Sequence, residues 1–163
     1  MKNFKLLLLS FGVLLALSSC KKSSSTPSTT GTITVTIDGS TQTFNFGAAA
    51  HVDNTSGFNS LSIIGVQSAT SSNSLIIGVN STTPIAAGTY TGASSQTDMS
   101  YTQSTGAIYQ FDGGNSASNA TVVIKSISST TVQGTFSGTL ELINGSGAAT
   151  KTLANGSFNL NIK

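Results

Sequence analysis

Residues 132–142 read VQGTFSGTLEL, and their alternation decides the fold. Val132, Gly134, Phe136, Gly138, Leu140 and Leu142 fall on one side, while Gln133, Thr135, Ser137, Thr139 and Glu141 fall on the other. Period two marks a half-buried strand, because successive side chains leave a pleated backbone on opposite faces. After the turn-forming Asn144-Gly145-Ser146-Gly147, the closing SFNLNIK puts Phe158, Leu160 and Ile162 on a single face as well. The two segments predict an antiparallel pair in which inward residues meet: Phe136 opposite Phe158, Gly134 opposite Leu160, Val132 opposite Ile162. A slip of one residue would turn a whole apolar set to water. Two inward glycines, Gly134 and Gly138, call for a bend or for a large side chain opposite, so this strand is expected to curve and help close the sheet.

The same period recurs upstream. Ile33, Val35 and Ile37 are separated by threonines in TITVTI, and Phe44 and Phe46 are separated by Asn45. Further strands are expected at 60–66, 75–80, 99–103, 107–111 and 120–127, each bounded by Gly, Asn, Ser or Asp. Apolar residues nowhere recur at helical spacing. Residues 31–163 therefore predict one all-β domain, an antiparallel β-sandwich or a partly closed β-barrel.

Charged residues make up 7% of the chain, against about 25% in ordinary globular proteins, so the polar surface is built from Ser, Thr, Asn and Gln. From residue 20 onward five lysines face five acids, with no arginine, which leaves no basic patch for nucleic acid. The chemistry-bearing residues are few. His51, the only histidine, stands near Asp53 and Asn54 in AAAHVDNTSG, a stretch expected to be a polar loop; a metal site needs more convergent ligands than these. No GxSxG elbow occurs, and nothing sets two of Asp98, Asp112 and Glu141 at a glycosidase spacing. Asp112-Gly113-Gly114-Asn115 lacks the alternating acids of a calcium loop and reads as a turn requiring positive φ. These observations predict no catalytic residue, no cofactor and no metal. Three tyrosines remain. Tyr90, in AAGTYT, is expected to pack at a strand start, and Tyr101 and Tyr109, on either side of Ser104-Thr105-Gly106, are expected to face one another across a hairpin. Such a hairpin is the alternative functional reading, a glycan- or peptide-binding platform.

The N-terminus carries a different message. Lys2 and Lys5 precede the apolar run 6–17, and Leu17-Ser18-Ser19 leads to Cys20, the only cysteine. At ~1.5 Å per helical residue the run reaches roughly 18 Å, short of the ~30 Å hydrocarbon core. It reads as a cleaved signal peptide, residues 1–19, and the lone cysteine behind it as a point of lipid attachment. Residues 20–30, Cys20 followed by KKSSSTPSTT, form a tether whose ten residues after the cysteine should span roughly 17 Å.

Leu17-Ser18-Ser19-Cys20 resembles a bacterial lipoprotein signal, which implies that Cys20 becomes the first residue of the mature chain and carries two or three acyl chains, palmitate among them. Together with the Ser/Thr tether, the opening TITVTIDGSTQTF, the central PIAAGTYT, and the closing VQGTFSGTLEL and LANGSFNLNI, the chain looks like small Bacteroidota envelope lipoproteins with an all-β domain of unknown function. Thr43-Phe44 stands where a tryptophan is common in that group. The resemblance implies an outer-membrane protein with a structural or interaction role. Because Lys21-Lys22-Ser23-Ser24-Ser25 contains no acid, it also implies the periplasmic face before the cell surface.

Overall fold

The computed structural model describes residues 31–55, 57–115, 117–145 and 148–163. The expected signal peptide, Cys20 and the expected tether lie outside the described residues. The alternating segments become eleven strands: β1 (Thr32–Ile37), β2 (Ser40–Phe44), β3 (Phe46–Thr55), β4 (Phe58–Ser68), β5 (Ser71–Ser81), β6 (Gly88–Thr91), β7 (Thr97–Thr102), β8 (Ile108–Gln110), β9 (Asn119–Ile127), β10 (Thr131–Leu142) and β11 (Thr150–Asn161). The one helical element among the described residues is a 3-10 turn at Gly92–Ser94.

Every paired strand is antiparallel to its neighbour, and the path runs β2-β1-β11-β10-β8-β7-β5-β4-β3. Its two ends belong to one continuous piece of chain, because β2 runs through Asn45 into β3. The first half of this piece pairs with β1 and the second half with β4. The path therefore returns to its start, and the sheet forms a nearly closed barrel. A parallel bridge between Ala50 and Ile162, with the Lys163 N–H donating to the Ala50 carbonyl at 2.9 Å, draws β3 against the end of β11. On its other edge β10 is shared: residues 132–139 pair with β9, which carries β6 in turn, and residues 141–142 pair with β8. The segment expected to help close the sheet thus meets three strands.

Inward residues from every side fill one interior cluster, including Ile33, Val35, Phe44, Leu61, Ile63, Leu75, Ile77, Met99, Val122, Ile124, Phe136 and Leu160, all nearly or fully buried. Their partners along each strand are mostly hydroxyls and amides facing water.

The pairing of β10 with β11 differs from the sequence expectation. Inward residues do meet inward residues, but two positions away: Gly134 lies opposite Phe158, Val132 opposite Leu160, and Phe136 opposite Gly156. The physical reason is room. A Cβ on Gly134 would lie 2.4 Å from the Phe158 ring, and one on Gly156 would lie 2.7 Å from the Phe136 ring. Each phenylalanine covers the glycine across from it, and the two rings then stack at 6.4 Å and 27°. Beyond Gly156 an extra residue enters β11, with Asn155 at φ 52, and Gly138 pairs with Leu153. This bulge reverses the parity, so that Leu153 and Lys151 point inward where Ala154 and Thr152 would otherwise do so.

A second correction concerns 48–55. These residues do not form a loop: they continue β3, with Ala50 buried, Val52 half-buried, and His51 and Asp53 turned out. Pairing with β4 holds the polar stretch extended, because tertiary context outweighs its weak local preference. A third concerns Gly113 and Gly114, neither of which adopts a positive φ. The turn is made by the Asp112 carboxylate, which accepts the Gly114 N–H at 2.9 Å.

Candidate functional site

Tyr101 on β7 and Tyr109 on β8 are direct cross-strand partners, stacked at 6.4 Å and 28°. Both point into one end of the barrel and are buried, at 1% and 8% exposure. Their turn is held from two sides. Asn73 accepts the Ser104 N–H at 2.7 Å; Asn144 accepts the Ile108 N–H at 2.7 Å and donates to the Gly106 carbonyl at 2.7 Å. Phe44 meets the Tyr101 ring edge-on at 6.3 Å.

Three polar side chains complete this end. Lys151, brought inward by the bulge in β11, places its ammonium 5.4 Å from the centre of the Tyr109 ring and 2.8 Å from Asp38 Oδ2. Asp38 occupies the β1–β2 turn at φ 47, and its Oδ1 accepts the Thr152 N–H at 2.9 Å. The Tyr101 hydroxyl donates to Gln42 Oε1 at 3.4 Å. The hydrogen bond from Lys151, followed by that from the Thr152 N–H, holds the Asp38 carboxyl below its usual range. The bond to Asp38 likewise raises Lys151, so the amine stays protonated and is no nucleophile at neutral pH. This mouth is a cation seated between a carboxylate and a ring face, a stabilising arrangement.

The remaining expected residues lie apart. Tyr90, on β6, is half-buried, and its hydroxyl closes a local ring by accepting the Ala86 N–H at 3.1 Å and donating to the Ala86 carbonyl at 2.9 Å. The three tyrosines therefore form no shared exposed platform. His51 lies exposed on β3, its Nδ1 2.9 Å from the Lys163 carbonyl oxygen, and Asp53 accepts the Thr55 hydroxyl at 2.7 Å; the structure joins neither to the other. Glu141 accepts Asn115 Nδ2 at 2.5 Å beneath the Asp112 turn. Among the described residues no three metal-binding side chains converge.

Lys151, Asp38 and Gln42 are the members of the mouth that sequence reasoning missed. A signal for Lys151 was present, since Asn155-Gly156 inside a strand pattern marks a bulge and hence a change of inward parity. No such signal tied Asp38 or Gln42 to the tyrosines, because their meeting depends on barrel closure. No family model, curated protein or solved structure matches this chain.

Proposed function

We propose that this protein is a lipid-anchored component of a bacterial cell envelope, acting through contacts of its barrel and not through a reaction. The observation that carries the proposal is the position of the only cysteine, Cys20, directly behind an apolar leader and ahead of a Ser/Thr-rich tether. One acyl chain binds a membrane marginally, whereas two anchor it stably. Two of the few ionisable side chains are committed to contacts within the fold, Lys151 to Asp38 and His51 to the Lys163 carbonyl. The lysines after Cys20, with no acid among them, favour the periplasmic face of the outer membrane.

Metabolic labelling with a palmitate analogue tests the anchor. The wild-type chain takes up label and Cys20→Ser does not; a mature wild-type chain that runs unlabelled refutes the proposal. Protease treatment of intact cells tests the face, since release of the barrel would place it on the cell surface.

A further inference from the structure

The tether enters β1 at Gly31, whose N–H donates to the Asn159 carbonyl at 2.7 Å. Three residues further along β11, Ile162 lies beside Ala50 of β3, which runs parallel to it. From Ala50, β3 continues five more residues to Thr55, where it turns back opposite Phe58. The tip of the β3–β4 hairpin therefore projects beyond Gly31, past the N-terminal end of β1, by about eight residues. At ~3.3 Å per residue that is roughly 26 Å along the strand, or about 20 Å along the axis for an ordinary strand tilt. The tether's relaxed span of roughly 17 Å is shorter.

We infer that the β3–β4 hairpin tip rests on the lipid bilayer, with Phe58 as its interfacial contact. The inference rests on the lipid anchor proposed above and adds a second point of attachment. A relaxed tether does not clear the overhang, so the tip reaches the headgroups at high effective concentration. What it presents suits that location. Phe58 is 53% exposed on a protruding turn, and the neighbouring β5–β6 connection adds the exposed, uncharged Pro84, Ala86 and Ala87. The hairpin's one carboxylate, Asp53, is engaged by Thr55, and His51 and Lys163 lie beside each other on the side toward the barrel. Two attachments set an orientation: the opposite end, with the β1–β2 turn, the tyrosine hairpin and Ile143, faces away from the membrane.

The chain contains no tryptophan, so one introduced indole reports alone. The mature chain is coupled through Cys20 to a maleimide lipid in phosphatidylethanolamine–phosphatidylglycerol vesicles, carrying either Phe58→Trp or, as the far-end control, Ile143→Trp, which is also 53% exposed. Expected is a blue shift of Phe58→Trp emission on coupling and quenching by bromine-labelled acyl chains, with Ile143→Trp unchanged in both. Water-like, unquenched emission from Phe58→Trp, an equal response of the two variants, or a shift that follows protein concentration without lipid overturns the inference; the last would assign the tip to a protein contact. Chemical coupling makes this outcome independent of acylation in cells, so failure of the anchor appears only in the labelling experiment.

Discussion

Two ring pairs inside the barrel share one geometry and reach it by different routes. Tyr101 and Tyr109 stack at 6.4 Å and 28°, and Phe136 and Phe158 stack at 6.4 Å and 27°. The tyrosines are direct cross-strand partners, each occupying its own position on the hairpin. The phenylalanines are staggered, each lying over a glycine on the facing strand. Ring stacking therefore constrains register weakly, and the space opposite each ring constrains it strongly. Where that space is glycine, the strands slide until the rings fill it.

The largest expected effect comes from emptying the staggered pair. Phe136 is 3% exposed, and Phe136→Ala should cost about 3–5 kcal/mol, read as a lowered urea midpoint at unchanged slope. A loss below about 0.5 kcal/mol, typical of surface sites, would remove Phe136 from the core. Next is the glycine itself. In Gly156→Ala the added methyl meets the Phe136 carbonyl oxygen at 2.6 Å as well as the ring, so moving the ring alone gives no relief. A cost of about 1–3 kcal/mol is expected, and a neutral result would show that glycine does not set the register.

Double-mutant cycles sharpen the comparison directly. Equal ring geometry predicts equal coupling, about 0.5–1.5 kcal/mol for each pair, in cycles built from Phe136→Leu with Phe158→Leu and from Tyr101→Leu with Tyr109→Leu. Coupling confined to the tyrosines would mean that the staggered rings contribute burial alone.

The smallest effect belongs to the ion pair over Tyr109. Asp38 and Lys151 are partly exposed, which limits their contribution to no more than about 1 kcal/mol. Because the folded Asp38 carboxyl is held low, its share is complete above an unfolded value near pH 4 and fades as pH falls through the lower folded value. Lys151 is held high, so its share is complete below about pH 10 and fades as pH climbs through the raised folded value. The stability difference between wild type and Asp38→Asn should accordingly be flat from about pH 5 to 9 and shrink below about pH 4. A difference that instead grows in acid would reverse the assignment.

Much of the fold was legible from local pattern. TITVTI and VQGTFSGTLEL form strands with the expected faces inward, and the expected tyrosine pair across the hairpin at Ser104-Thr105-Gly106 is present. AAAHVDNT was read as a loop because its alternation is carried by small and polar residues; pairing along β4 is what extends it. The candidate site was only half visible, since Tyr101 and Tyr109 are close in sequence whereas Lys151 and Asp38, 113 positions apart, meet only when β11 closes on the β1–β2 turn.

By itself the sequence determined most of the strands, among them TITVTI and VQGTFSGTLEL with the faces they turn inward, because backbone pleat and hydropathy act over a few neighbouring residues. Tertiary structure decided the two-residue offset between β10 and β11, the sharing of β10 among three strands, and the closure of the sheet through the bent β2–β3 segment. Those outcomes depend on filling one interior volume from all sides at once, and no short stretch of chain contains that information.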